Sequence, residues 1–341
     1  MNRDQRVQAI KKLEKVRGST VITYVTGDRP GLITQMATDA VRLIQTQLEI
    51  LGPQKRIDLF LYTRGGELMA PLRLVHLIRE YTERFEVIVP YRAHSAGTLV
   101  CLGADRIVMG KLAELTPVDP STANDFNPQN PLNPAARIPI SVEDVTAYLG
   151  LAEKQAQLTS EQTRLEVFKS LTAQINPIAL GNVRRVYSEI RTLVESLLAL
   201  HMKTKKERAR IPAIVKTLTE TYTHDYLIPR IEAKRIGLKV DTPDAALEAS
   251  NMELLHLYET NLLLAEPFNP DALLATQASI DFSYETAYID SRAKTYAYIQ
   301  AGTVSRAPGP VQLPGPVQLQ MPGVEQVIMR FNKQRWEEVE N

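Results

Sequence analysis

Between Thr20 and Met109 four short apolar runs alternate with longer stretches whose apolar residues recur at helical spacing, and this alternation restricts the chain here to a layered α/β arrangement. The runs Thr20–Val25, Arg56–Tyr62, Phe85–Pro90 and Arg106–Met109 read as strands. Leu32–Leu51 and Leu68–Tyr81 read as helices, and a third helix begins close to Ser95. A strand–helix–strand order of this kind predicts a largely parallel sheet joined by right-handed crossovers.

The 341 residues, 44% hydrophobic and 23% charged, suffice for one sizeable core plus a smaller appendage, in one large domain or two. Lysine and arginine (40) nearly balance aspartate and glutamate (39), so no global field draws the chain to nucleic acid or to an acidic membrane surface. The N-terminal Met1–Arg6 leads into a charged stretch instead of an apolar signal segment, and no run approaches the ~20 apolar residues of a membrane span. A soluble, cytoplasmic protein is expected. Cys101 is the only cysteine and reads as a small core residue, which leaves no internal disulfide and no cysteine-rich zinc site.

Beyond the α/β segment, Pro117–Pro139 is rich in Pro, Asn, Asp and Ser without periodicity and reads as a long surface loop. A helix opens at Ser141, with Asp144 completing a capping box, and helical patterns continue through Val183–Met202. The basic cluster Lys203–Arg210 has no interleaved aromatic residues for stacking on bases, so it reads as a solvated helix end. Further helices are predicted over Ile211–Tyr222, Ile231–Gly237 and Ala245–Leu264, while Ile280–Gln300 fits either strands or a helix. The near-repeat Gly309–Pro314 and Gly315–Gln320 reads as an extended tether, followed by an amphipathic tail over Val324–Asn341.

Two segments carry chemistry. The Gly65-Gly66 pair follows the strand Arg56–Tyr62, and Ala93-His94-Ser95-Ala96-Gly97-Thr98 follows the strand Phe85–Pro90, both at carboxyl ends where open α/β sheets place their sites. A serine at a helix start presents its hydroxyl beside free backbone N–H groups, and Gly66 and Ala96 could supply two donors of an oxyanion hole. The competing reading is a tight glycine turn with Ser95 as a helix cap. His76, His94, His201 and His256 read as structural or surface residues, and neither the histidine spacing nor the Asp/Glu pattern suggests a metal site.

Thr63-Arg64-Gly65-Gly66-Glu67, the 29 positions from Gly66 to Ser95, Ser95-Ala96-Gly97-Thr98 and Gly103–Gly110 together resemble the Clp/crotonase superfamily. They are more closely similar to the signal peptide peptidase-like group called serine dehydrogenase proteinases. Glu114–Pro120 and the block His224-Asp225-Tyr226, Glu232-Ala233-Lys234, Gly237-Leu238 extend the resemblance over roughly residues 18–240. The resemblance implies a spiral of ββα units with additional helices. It implies a peptidase domain over residues 1–240, containing the loop insertion 117–140 and the helical region 141–222. A helical or extended extension over 241–306 and a linker and tail over 307–341 follow it.

By the same resemblance, Ser95 is the nucleophile of a serine peptidase, Gly66 and Ala96 are the oxyanion donors, and neither metal nor other cofactor takes part. The Clp base is a histidine that would fall near Thr116, where this chain has none, so the base is open. His224 beside Asp225, which falls where Clp peptidases carry the triad's acid, is the preferred candidate, and Lys154 is the alternative on the signal peptide peptidase pattern. A peptide or unfolded protein is the implied substrate and a homo-oligomer the implied assembly. A crotonase-type acyl-thioester enzyme and a catalytically inactive scaffold of the same fold are the competing functions.

Overall fold

Each of the four apolar runs becomes a strand of one sheet in the computed structural model, which describes residues 3–118, 121–122, 124–131, 133–221, 226–312 and 318–339. Strands β1 (Thr20–Thr26), β2 (Gln54–Tyr62), β3 (Thr82–Val89) and β4 (Arg106–Met109) lie side by side and parallel. A short β5 (Val240–Asp241) adds in parallel beyond β4. On the other side of β1 the sheet turns antiparallel, with β6 (Ser279–Asp290), β7 (Thr295–Gln312) and β8 (Gln318–Glu338), for the order β5-β4-β3-β2-β1-β6-β7-β8. The ambiguous stretch Ile280–Gln300 is thus a hairpin of the main sheet.

Both faces of the sheet are covered, and strand alternation sorts the side chains between them. Ile57, Leu59 and Leu61 of β2 enter a core shared with α2 (Asp39–Leu51), α3 (Ala70–Arg79), α4 (Ala96–Leu102) and α5 (Pro177–Ala199). Phe60 and Tyr62 enter the opposite core, closed by α1 (Arg3–Arg17) and α6 (Ala245–Asn261). The sequence reading begins a helix at Leu32, whereas α2 begins at Asp39. Residues 28–33 instead pair Asp28–Arg29 with Leu32–Ile33 in a tight hairpin. The loop expected over 117–140 contains two small antiparallel ribbons, Ser121–Thr122 with Ile140–Ser141 and Gln129–Asn130 with Asn133–Arg137.

A second, short ladder crosses the carboxyl ends of the main strands. Arg92–Ala93 pairs in parallel with Glu114–Leu115, which pairs antiparallel with Ile228–Pro229. Single bridges join Thr63 to Ala93 and Met36 to Gly66. Strands β2 and β3 are therefore each followed by a few residues in the second ladder and then by a helix, a repeated strand–strand–helix unit.

Residues 318–338 are a strand and not part of a tether. The strand pairing of β7 with β6 ends at Ser305, so among the described residues the outer part of β7 has β8 as its strand partner, and Pro308 and Pro310 fall there. A proline without an N–H is tolerated in such a one-sided pairing. Trp336 of β8 packs against Tyr24 and Tyr298, with ring centroids 6.2 Å and 5.3 Å away.

The antiparallel side is tied to the rest by a buried ion pair. Arg6 Nε donates to Asp290 Oδ2 at 2.7 Å, Tyr258 donates its hydroxyl to the same oxygen at 2.7 Å, and the Arg6 guanidinium lies 3.9 Å from the Tyr288 ring centroid. Arg6 is 2% exposed and Asp290 is fully buried. Removing one partner of such a pair leaves a buried charge uncompensated, which costs about 3–5 kcal/mol. Asp290→Ala is expected to lower the unfolding free energy by that amount in a denaturant titration; a loss under about 1 kcal/mol, the size of an exposed pair, would show that the pair does not hold β6 to α1.

Candidate active site

The second ladder places the Gly65-Gly66 turn beside Ser95. The Thr63 N–H donates to the Arg92 carbonyl at 2.9 Å and the Thr63 carbonyl accepts the His94 N–H at 3.0 Å, so the segments after β2 and β3 run together. The Thr63 hydroxyl then accepts the Gly65 N–H at 3.0 Å and the Thr26 hydroxyl at 2.7 Å. Asp28 clasps both segments from outside, accepting Tyr62 Oη at 2.7 Å and pairing with Arg64 at 3.2 Å and Arg92 at 2.5 Å.

Both glycines are required by close approach. The Gly65 carbonyl accepts the Met36 N–H and the Met36 carbonyl accepts the Glu67 N–H, each at 2.8 Å. A β-carbon on Gly66 would lie 1.9 Å from the Met36 carbonyl oxygen. With Gly65 C=O and Glu67 N–H both turned to Met36, backbone alternation aims the Gly66 N–H the other way. Gly65 has φ +106°, and a β-carbon there would lie 2.9 Å from Ser95 Cβ and 3.3 Å from the Ala96 nitrogen. The bare glycine keeps open the space above the serine.

Ser95 stands at the head of α4 with φ 49° and ψ −107°, a conformation rarely adopted by a residue with a side chain. Its hydroxyl makes no capping bond to α4. Ala96 is the first residue of that helix, where N–H groups lack an intrahelical acceptor. Neither the Gly66 nor the Ala96 N–H makes a hydrogen bond among the described residues. A half-buried hydroxyl in strained backbone next to two unused donors is an arrangement able to attack a carbonyl and stabilise the oxyanion that results.

The other sequence candidates fall as follows. His224 and Asp225 lie outside the described residues. Lys154 is solvent-exposed on the π-helical turn Leu151–Gln155. His94, adjacent to Ser95, is engaged elsewhere: its Nε2 lies 3.0 Å from Glu114 Oε1, which also faces Arg92 Nε at 3.4 Å. Burial lowers the His94 pKa, against the opposing pull of Glu114. His201 donates Nε2–H to the Leu102 carbonyl at 3.0 Å, and burial takes it down to about 4. His76 and His256 are exposed.

Sequence reading missed the part played by Thr116. Its hydroxyl accepts the Ser95 N–H at 2.8 Å, and it is 4% exposed. A single threonine in a short apolar run carries no signal of such a contact. Among the described residues, no cluster of His, Cys, Asp and Glu could hold a metal ion, and no helix is long and apolar enough to cross a membrane.

The uncharacterized protein MJ0137 of Methanocaldococcus jannaschii is 30% identical over 245 residues, 70% of this chain and 73% of the relative. The uncharacterized protein MJ1495 of the same organism is 27% identical over 263 residues, 74% of this chain and 76% of its own. Two mutants of the 1510-N membrane-bound stomatin-specific protease are similar solved structures, each at 16% identity. One, in complex with a substrate peptide, has a TM-score of 0.36 over 62% of this chain and 72% of that chain; the other has 0.37 over 67% and 80%. Residues 1–130, which contain the Gly65-Gly66 turn, Ser95 and Thr116, match the family described as ClpP-like SDH-type serine proteinase, and the chain belongs to that family.

Proposed function

We propose that the chain hydrolyses peptide bonds of a peptide or unfolded protein through an acyl-enzyme on Ser95. The observation that carries this reading is the Ser95 hydroxyl, left out of any capping bond and held at positive φ against the Gly65-Gly66 turn. Ser95 Oγ attacks the carbonyl carbon, and the developing oxyanion takes hydrogen bonds from the Gly66 and Ala96 N–H groups. The hydroxyl proton passes to a base and from it to the leaving amine as the C–N bond breaks. Water, deprotonated by the same base, then releases the acid.

A serine used as a helix cap, as the scaffold reading requires, would spend its hydroxyl on a backbone N–H of α4. Ser95→Ala is accordingly expected to abolish both peptide hydrolysis and labelling by a fluorophosphonate probe, with a melting temperature close to that of the wild type. Retained hydrolysis in a folded Ser95→Ala protein would sink the assignment.

For the base we favour His224, oriented by Asp225. The described residues on either side of it are anchored on the segment around Thr116: Leu218 accepts the Val118 N–H at 3.0 Å, and Ile228 pairs with Leu115. Those partners belong to the segment whose Thr116 contacts Ser95. Imidazole, with a pKa of about 6.5, accepts a proton near neutrality without special burial, whereas lysine must first be desolvated, and Lys154 is exposed. A base must be unprotonated, so the rate should fall as pH drops below about 6. His224→Ala should depress kcat about as far as Ser95→Ala does; near-normal turnover in that variant, with loss in Lys154→Ala, would transfer the role to the lysine.

We also propose a homo-oligomer. The helix Glu161–Gln174 buries Leu171 alone among its residues and leaves Leu165 and Phe168 exposed, which a neighbouring subunit would cover. Light scattering at micromolar concentration should give a multiple of 38.2 kDa; the mass of one chain would contradict it.

A further inference from the structure

Backbone strain like that at Ser95 costs on the order of 1–3 kcal/mol and persists only where its surroundings over-determine it. The serine's own side chain makes no bond to the helix it heads, so the restraint comes from elsewhere. The Ser95 carbonyl accepts the Leu99 N–H at 3.2 Å, as any helix start would provide. The Ser95 N–H, in contrast, ends on a side chain, the Thr116 hydroxyl at 2.8 Å.

Thr116 is held by its hydroxyl, its N–H and its carbonyl. The hydroxyl faces the Pro117 carbonyl at 3.2 Å as donor, the Thr116 N–H donates to Thr98 Oγ1 at 3.2 Å, and the Thr98 hydroxyl lies 2.8 Å from the Thr116 carbonyl and 2.9 Å from the Ala93 carbonyl. Thr98 and Thr116 are both buried, at 0% and 4% exposure. Without an acceptor for the Ser95 N–H, the 94–95 peptide is restrained at its carbonyl end alone, and it can turn over once that single bond yields. That relaxes the positive φ, re-aims the serine side chain and takes the His94 carbonyl off the Gly97 N–H, which it now accepts at 2.7 Å.

We propose that Thr116 is a positioning residue for the reaction: its hydroxyl, by accepting the Ser95 N–H, keeps the 94–95 peptide from turning over and so holds Ser95 Oγ in place for attack. The role rests on the reading of Ser95 as the nucleophile. It also gives the position near which Clp peptidases carry their base a different task, since a hydroxyl that accepts one backbone N–H and faces a carbonyl as donor takes no proton from Ser95.

The test is the inactivation of the full-length protein by a fluorophosphonate probe, resolved into kinact and KI, for wild type, Thr116→Val and Thr116→Ser. A misplacement of the reacting atom of about 1 Å costs on the order of 10²-fold. Thr116→Val, which keeps the shape and loses the hydroxyl, should lower kinact by about that factor with KI little changed, and Thr116→Ser should restore most of it. The pH profile of kinact should keep its midpoint in Thr116→Val, because the group removed does not titrate. An equal kinact in wild type and Thr116→Val overturns the positioning role and leaves Ser95 as the nucleophile. A wild-type protein that is not labelled on Ser95 overturns the nucleophile itself. Should Thr116→Val fail to fold, hydrogen exchange of the wild-type Ser95 amide decides: slow exchange is expected, and exchange as fast as in an exposed loop overturns the proposal.

Discussion

A β-carbon on Gly66 would lie 1.9 Å from the Met36 carbonyl oxygen and 2.7 Å from the Met36 nitrogen, so two backbones meet here with no side chain between them, and the site is built outwards from that contact. Met36 belongs to the segment between β1 and α2, Gly66 to the segment between β2 and α3. Their contact fixes how far the second strand–strand–helix unit slides along the first. The Gly65 face of the same turn then meets Ser95 of the third unit, where a β-carbon would come within 2.9 Å of Ser95 Cβ. Three successive crossovers thus converge on backbone atoms, which do not change rotamer, and the proposed oxyanion site of backbone N–H groups would need that kind of rigidity.

The frame behind this contact is held by charges that are expensive to bury. Asp58 on β2 and Glu86 on β3 face the same side of the sheet in adjacent register and are both enclosed. Arg17 at the end of α1 answers both, donating Nε to Asp58 at 2.7 Å and pairing with Glu86, and the Ser19 hydroxyl adds a bond to Asp58 at 2.7 Å. Arg6, three turns earlier on the same helix, answers Asp290. Ion pairs of this kind add little net stability against an apolar replacement. What they do here is geometric, because two arginines on one helix face accept only one placement of α1 across β1, β2, β3 and β6.

The elements legible in the sequence are those whose burial is either unbroken over a short run or repeats with the helical period. The run Thr20–Val25 is recognisable because β1 is buried along its whole length, and α3 because Leu74, Val75 and Ile78 share one face. α1 was not legible, since Arg6 is one of its four buried residues and a buried arginine reads as a surface one until its partner 284 positions away is known. The strand Gln318–Glu338 was misread through the Pro/Gly density at its start, whose cost depends on whether the neighbouring edge is occupied. At the candidate site, Gly65 and Gly66 were legible because close approach and positive φ demand glycine, whereas Ser95 drew notice by its place at a helix start and by the family resemblance, since its φ of 49° is one that a serine does not favour. Thr116 was not, because its task is set by a contact 21 positions away and any small hydroxyl would look the same.

These observations separate two tasks along the chain. Orientation of the serine is local: Thr63, Gly65, Thr98 and Thr116 surround it by backbone-directed hydrogen bonds, all within the segment that matches the family. Proton transfer is not served there. His94, the imidazole next to Ser95 among the described residues, is turned to Glu114 and Arg92, and burial disfavours its charged form. With the Thr116 hydroxyl committed to the Ser95 N–H, the proposed base would come from later chain, and Leu218 and Ile228 are two later residues anchored on this segment. On the proposed reading, the backbone around Ser95 stays strained and rigid while the proton acceptor is carried by a separate connection, a division that suits a nucleophile in an energetically costly conformation.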